Sequence, residues 1–345
     1  MDKKQKVVVG LSGGVDSSVS AYLLQKQGYE VAGVYMKLHN AIDGYHEKNI
    51  AAGKKVAQFL NIEYEVLDLS KQFEQEVYDY FVQGYLDGIT PNPCVKCNRT
   101  IKFGALYDYA ISKNADFLAT GHYAKTDGEF IYCAHDKTKD QSYFLGQIDK
   151  KVLPKLMFPM STYTKEEIRK IGESLPALKQ IAQQKDSQEI CFVEKEYTDI
   201  LQKHTNIDRP GITLDKQGKE VGHHKGYMHY TIGKRRGFYV HGAHEPHFVL
   251  SSDAHNNTIT VGKKEDLAIE CVEINNLNMF IDEREFFCGV KLRYRSAMIP
   301  CHVVVQGKTA QIKLLENAYG VAKGQVAVFY DGEKVLGSGW ITLAQ

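Results

Sequence analysis

The sequence predicts an α/β protein: a Rossmann-like, doubly wound parallel sheet followed by a small mixed module and a C-terminal β-barrel. Three observations carry this expectation. Strand-like and helix-like segments alternate as βαβαβ within about the first 70 residues. A glycine-rich turn joins the first strand to the first helix. Beyond Gly211 helical periodicity fades into short alternating segments separated by Gly and Asx turns.

The opening strand is the β-branched run Val7–Val8–Val9, and the following SGGVDSS turn carries Gly13, Gly14 and the candidate helix-capping pair Asp16 and Ser17. Tyr29 to Met36 reads as a second strand, 49–60 as a helix and Tyr64 to Leu69 as a third strand. A helix over 72–86 ends at DGITPNPCVKCN, where two prolines and an asparagine predict a shaped loop, and helical spacing resumes over 100–112. Phe117 to Gly121 is a further strand, 129–135 has β character, and 164–185 is helical with a break at Pro176. Then come FVLSSD, NTITVG, CGVKLRY, HVVVQG, AQIKLLE and QVAVFY, the barrel-like series. With 345 residues, two or three domains are expected, divided as 1–202, 203–265 and 266–345.

Composition excludes several classes. No apolar run approaches the length of about 18 residues that a membrane helix needs, and MDKKQK leads into a strand without an apolar leader, so a cytoplasmic protein with no membrane partner is expected. Seven cysteines without framework spacing argue for reduced thiols. A net charge of +1 requires any nucleic-acid surface to be a local basic patch.

The chemistry concentrates in three places. The SGGVDSS turn offers close-approaching backbone N–H groups and a helix N-terminus to an anion, yet the chain has no GxxxxGK followed by Ser or Thr, so the usual phosphate-loop lysine is missing. Met36, Gly121 and His122 lie at strand ends on the same expected edge; for His122 a hydrogen-bonded structural role is the competing reading. The pair Cys94 and Cys97 reads as half a zinc site, a redox pair or chance, and Cys133, Cys191, Cys271, Cys288 and Cys301 supply no second CxxC, which argues against structural zinc. Basic residues cluster as Arg99 with Lys102, Lys225 with Lys234, Arg235 and Arg236, and Lys291 with Arg293 and Arg295.

Ser12, Gly13, Gly14, Asp16 and Ser17 match the SGGxDS signature, so the chain resembles the N-type ATP pyrophosphatases, the PP-loop family. The resemblance implies ATP bound by Gly10, Leu11, Ser12, Gly13, Gly14, Val15, Asp16, Ser17 and Ser18, Mg²⁺ accompanying it, cleavage between the α- and β-phosphates, and AMP transfer to a substrate oxygen. Together with PNPCVKCN, DSQEICF, ATGHYA, KDQSYFL, GHHKGYMHYTIGKRRG and KLRYR, in this order over nearly the whole chain, the loop resembles the tRNA-specific 2-thiouridylases of the MnmA type. That resemblance implies thiolation of the wobble uridine in an anticodon stem-loop, with tRNAs for Lys, Glu and Gln as substrates, a cysteine desulfurase or sulfur-relay partner, and a monomer. It implies Cys191 as persulfide carrier and Cys97 as the nucleophile that attacks it. Contacts to tRNA would come from Asn92, Arg99, Lys102, the loop Lys139, Asp140, Gln141, Ser142 and Tyr143, and Lys225, Lys234, Arg235, Arg236, Arg293, Tyr294 and Arg295.

Cys94 departs from the family pattern, which has Asp there. Either it is a spare thiol that helps resolve a Cys97–Cys191 disulfide, or Cys94, Cys97 and Cys191 hold an iron–sulfur cluster; the persulfide reading is favoured because protein clusters more often use four thiolates. An amidating ligase of the same superfamily and a non-catalytic RNA-binding protein are the remaining alternatives.

Overall fold

In the computed structural model, which describes residues 4–40, 42–184 and 190–345, Val7, Val8 and Val9 are at most 1 % exposed. They form the centre of β1 (Lys6–Gly10), and burying each contributes about 1.5–3 kcal/mol. This all-apolar run suits a strand covered on both faces, and β1 lies inside a five-stranded parallel sheet. The sheet comprises β2 (Glu30–Lys37), β3 (Glu63–Asp68), β4 (Phe117–Ala119) and β5 (Leu156–Met157), in the order β3-β2-β1-β4-β5. Val9 stands opposite both Gly33 and Ala119, so the chain leaving β1 emerges between the ends of β2 and β4.

Helix α1 (Val15–Lys26) follows the glycine turn, and α2 (Tyr45–Leu60) joins β2 to β3. Helix α3 (Lys165–Ser174) is started by a complete capping box, with Thr164 Oγ1 accepting from the Glu167 backbone and Glu167 answering the Thr164 backbone. Val15, Val19, Leu24 and Ile168 share one apolar cluster with β1. A short hairpin, Lys125–Thr126 with Ile131–Tyr132, pairs on to Lys334.

Two compact units result. The first holds residues up to Glu76, Cys94–Phe192 and Gly332–Leu336; the second holds Val77–Pro93, Val193–Asp331 and Gly337–Gln345. Within the second, strands Gly211–Leu214, Glu220–His224, Tyr239–Val240, Phe248–Asp253 and Thr258–Gly262 form a mixed five-stranded sheet. The barrel is antiparallel: Ala268–Met279 pairs with both Thr309–Tyr319 and the last strand of the chain, which closes it. One of its strands is buried on both faces, Val326 to Tyr330 all being fully enclosed. A cavity of about 250 Å³ lined by Tyr85, Tyr227, Tyr230, Leu250 and Lys323 lies in this unit and includes none of the expected site residues.

Three sequence expectations change at this level. Pro93 opens a helix instead of breaking one, because its missing N–H is not needed at the first helical position. The helical run therefore extends from Pro93 to Ser112, and only 90–92 of the TPNPCVKCN segment stay irregular. The expected strand over 129–135 shrinks to Ile131–Tyr132. Among the described residues, no helix is long and apolar enough to cross a membrane.

Phe329 is fully buried within the second unit. Phe329→Ala is expected to destabilise the second unit by about 3–5 kcal/mol through lost burial and a residual cavity. Denaturant unfolding followed by probes in each unit measures the loss.

Candidate active site

The turn after β1 is held open by short local bonds. Leu11 N–H donates to the Val34 carbonyl at 2.8 Å, and Ser12 N–H donates to Ser17 Oγ at 3.1 Å. Gly13 takes φ +81°, and a Cβ there would stand 2.6 Å from the Asn49 carbonyl oxygen, so this position excludes every side chain. Gly14 caps α1 with extended backbone and no side-chain cap; Ser17 and Ser18 instead donate to its carbonyl at 3.2 and 2.8 Å. The expected capping by Asp16 and Ser17 thus does not occur, and the helix start carries no side-chain cap. Ser12 and Gly14 are exposed, while Leu11, Gly13, Val15, Ser17 and Ser18 are buried beneath them and Gly10 and Asp16 are half-buried.

Asp16 is turned sideways. Its Oδ1 and Oδ2 accept from Lys165 Nζ at 2.6 and 2.8 Å, and Oδ1 also accepts from the Tyr123 hydroxyl at 2.9 Å. Gly121 lies directly against the same turn of helix, because a Cβ there would meet Ser17 N at 2.9 Å. Met36 is half-buried at the carboxyl end of β2. The loop, Met36, Gly121 and His122 thus share the carboxyl edge of one parallel sheet, the position at which such sheets bind ligands.

His122 connects this edge to the cysteines. The ring is buried; its Nδ1–H donates to Thr120 Oγ1 at 2.8 Å, and Nε2 accepts from Lys102 Nζ at 3.4 Å, a tautomer assigned from these partners. Burial, reinforced by the Lys102 charge, holds its pKa well below the ordinary histidine value, so the ring is neutral near pH 7.

Lys102 is also the cation that acts on the three thiols. Cys94 and Cys97 lie in the first helical turns after Asn92, with Cys97 buried at the junction where the helix widens into a π-helix over Asn98–Ala105. Cys97 therefore stands inside the helical run and not at its N-terminus. Burial pushes the Cys97 thiol up to about 11, Lys102 pulls it down and Cys94 pushes it up again. Cys94 is raised by burial against the same Lys102 charge. Cys191 is exposed, yet enough protein surrounds it that burial leads its upward shift, followed by the charges of Cys97 and Cys94. The three sulfurs thus lie within electrostatic reach of one another and rest as protonated thiols.

The second strand end supports Cys191. His39, its pKa lowered to about 4 by burial and by His46, hydrogen-bonds the Cys191 backbone. The Tyr35 hydroxyl donates to His46 Nδ1 at 2.7 Å, and His46 Nε2 donates to the His39 carbonyl. Residues 185–189, the first part of the KDSQEICF segment, lie outside the described residues. Among the described residues, no group of three or more His, Cys, Asp or Glu side chains is arranged to hold a metal ion.

Other expected contacts take different places. Ser142 and Tyr143 are fully buried and Asp140 nearly so; Asp140 accepts from the Ala134 and Ser142 backbones and from Ser142 Oγ. The Tyr143 ring is therefore core and is not presented to a base, whereas Lys139 and Gln141 remain partly exposed. Gln141 Oε1 accepts from Tyr123 N. Arg99 is exposed and donates to buried Gln147. In the second unit, Asn92 is buried and donates to Gln325 Oε1 at 3.3 Å. Lys225, Lys234, Arg235, Arg236 and Arg295 are exposed, and Tyr294 is half-buried. Arg293 donates to the Ile232 carbonyl at 3.1 Å, tying the barrel to the five-stranded sheet within that unit.

Sequence reasoning missed Lys165 and Tyr123. One signal was available for Lys165: a lysine at the first helical position opposes the helix dipole, and such a misfit asks for a partner.

Residues 5–195 match the family described as tRNA methyl transferase HUP domain, 198–263 its PRC-barrel domain, and 268–341 an aminomethyltransferase beta-barrel domain. Over 339 residues the chain is 62 % identical to tRNA-specific 2-thiouridylase MnmA 1 of Aliarcobacter butzleri, covering 98 % of both chains. It is 54 % identical to tRNA-specific 2-thiouridylase MnmA of Nitratiruptor sp., covering 98 % of this chain and 99 % of the relative. It is also 54 % identical to the protein of that name from Sulfurimonas denitrificans, covering 98 % of each.

With its thiol near 11, Cys97 is about one part in ten thousand ionised at pH 7. Its alkylation by iodoacetamide is expected to quicken about tenfold per pH unit between pH 7 and 10, because only the thiolate reacts. Peptide mass spectrometry measures this, and a rate that levels off below pH 9 contradicts it.

Proposed function

The chain belongs to the family of tRNA-specific 2-thiouridylases, and from that premise we propose that it uses ATP to replace the C2 oxygen of a tRNA uridine with sulfur. The observation that carries this reading is the presence, in one unit, of a glycine turn at an uncapped helix start and three cysteines within electrostatic reach of one another. Methyl transfer, named in the matching family's description, has no use for either feature.

In this reading the uridine O2 attacks the α-phosphorus of ATP. The O2–P bond forms, the bond to the β-phosphate oxygen breaks, and pyrophosphate leaves into the loop around Ser12–Gly14, whose N–H groups and helix start meet its charge. Mg²⁺ would be carried in chiefly by the phosphates and water, since the nearby carboxylate, Asp16, has both oxygens engaged by Lys165. When bound it supplies neutralisation of the leaving-group charge. Neutral His122, beside Gly121, lines the nucleotide edge together with Met36.

Sulfur then arrives as a Cys191 persulfide. The Cys97 thiolate attacks the inner sulfur, forming the Cys97–Cys191 disulfide and expelling hydrosulfide, which attacks C2 and displaces AMP. Two electrons from an external thiol reductant reopen the disulfide, and in this reading Cys94 is a spare thiol that helps resolve it. The reading extends to the wobble uridine of an anticodon stem-loop in tRNAs for Lys, Glu and Gln, to a cysteine desulfurase or relay protein as donor, and to a cytoplasmic monomer. Exposed Lys225, Lys234, Arg235, Arg236 and Arg295, with Arg99 and Lys139, are the surface cations available to tRNA phosphates.

Incubation with ATP, Mg²⁺, a sulfur donor and unmodified tRNA, followed by nucleoside analysis, is expected to yield 2-thiouridine. Cys97→Ser and Cys191→Ser each lower the yield by at least about a thousandfold, and Asp16→Ala removes AMP formation first. Retained thiolation in either cysteine variant overturns its role, and a stoichiometric, activity-linked iron–sulfur cluster in anaerobically purified protein overturns the persulfide account. Separately, reversing Lys234, Arg235 and Arg236 together is expected to weaken tRNA binding, more so at low salt, with ATP affinity unchanged.

A further inference from the structure

Two cysteines that take no part in the sulfur chemistry above face each other across a pair of strands. In the second unit, Glu285–Lys291 and Ile299–Gln306 pair antiparallel with Cys288 directly opposite Cys301, and the two thiol sulfurs lie 3.6 Å apart in a hydrogen bond. The register that opposes them is held from both faces. Val290 and Val303 are fully buried on the same face as the sulfurs, where Phe286 also meets the Phe329 ring edge-on at 5.8 Å. On the other face the rings of Phe287 and its cross-strand partner His302 stack at 4.6 Å. Directly opposed residues of an antiparallel ladder have Cα atoms about 4.5–5.5 Å apart, inside the range of about 4.4–6.8 Å that a disulfide spans, so an S–S bond can close here without moving the strands. The two thiols differ in access: Cys301 is 1 % exposed, whereas Cys288 is half-buried and reaches solvent. Residues 292–298, which connect the two strands, carry Arg293 and Arg295.

From this geometry we propose that Cys288 and Cys301 are a reversible modification site, a dithiol that a low-molecular-weight disulfide oxidises to a cross-strand disulfide, stapling the two strands at the base of the connection that holds Arg293 and Arg295. The Cys288 thiolate attacks one sulfur of the oxidant, forming a mixed disulfide and releasing one thiol. The Cys301 thiolate then attacks the Cys288 sulfur, forming the Cys288–Cys301 bond and releasing the second thiol. The protein gives up two electrons and two protons, and the oxidant takes them up as two thiols. The hydrogen bond with Cys301 and burial hold the Cys288 thiol above its ordinary range, so the exchange is slow near neutral pH and is best followed at about pH 8.5. The site stands apart from the ATP and thiolation readings, because Cys94, Cys97 and Cys191 belong to the first unit.

The test is to equilibrate the full chain at about pH 8.5 with reduced and oxidised glutathione at equal millimolar concentrations, block the remaining thiols and map tryptic peptides. Lys291, Arg293 and Arg295 lie between the two cysteines, so the disulfide is read as residues 285–291 joined to 296–308. This linked pair is expected to exceed either singly glutathionylated peptide by about tenfold or more, because the facing thiol acts intramolecularly, and dithiothreitol is expected to reverse it. Trp340, the chain's one tryptophan, lies in the same unit, and its fluorescence is expected to show the oxidised protein melting about 5 °C or more above the reduced one. Cys288→Ser is expected to melt at the same temperature in both states. The mapping needs no variant, so it decides the matter even where a substitution disturbs the barrel. Native protein that carries glutathione on Cys288 with Cys301 free, or that keeps both thiols free, overturns the proposal, and so does a linked protein that melts no higher than the reduced one.

Discussion

The start of α1 has to lie flush against two neighbouring stretches of backbone, and the rest of the first unit follows from that closeness. On one side Gly13 faces the Asn49 carbonyl of α2; on the other Gly121 touches the Ser17 amide. Neither contact leaves room for a methyl group, so the turn, the chain after β4 and the middle of α2 are locked as one piece. Because Gly121 is pressed against the helix start, its neighbour His122 is carried to the same edge, and with it Lys102. One steric requirement thus brings the glycine turn, His122 and Lys102 to one edge of the sheet.

The sulfur end depends on a balance between solvent exclusion and a single cation. Burial keeps Cys94 and Cys97 protonated, and Lys102 opposes it without overcoming it. Resting thiols of this kind resist oxidation and stray alkylation. His39 adds order without charge: a ring kept neutral by its surroundings holds the Cys191 backbone, and its own carbonyl is held by His46.

The parallel sheet, the glycine turn and the change to β structure after Gly211 were all legible, since each rests on local patterning that tertiary packing reinforces. Val7–Val9 reads as buried on both faces from composition alone, and the barrel strands announce themselves by alternation. The cysteine helix was not legible. Two prolines and an asparagine look like a loop, and only the surrounding packing decides that Pro93 sits at a first helical position. The KDQSYFL segment misled in another way: Asp140, Ser142 and Tyr143 look like a polar recognition loop, yet they satisfy each other and neighbouring backbone inside the core. Lys165 escaped notice because its partner is remote in sequence, and no periodicity links positions so far apart.

The π-helical stretch after Cys97 has a consequence for how this region tolerates change in length. Over Asn98–Ala105 the backbone closes its bonds across five residues, so the segment holds more chain per turn than an α-helix would. Removing one residue there would let it relax to ordinary α geometry with the chain on either side keeping roughly its orientation, because the wide turns already absorb one surplus residue. A further inserted residue has no such slack and would rotate one side by about 100° relative to the other. Ile101, Leu106 and Ala110 are anchored in the core, so that rotation would fall on Cys97 and carry its side chain out of its buried place, which makes the length of this stretch asymmetric in what it tolerates.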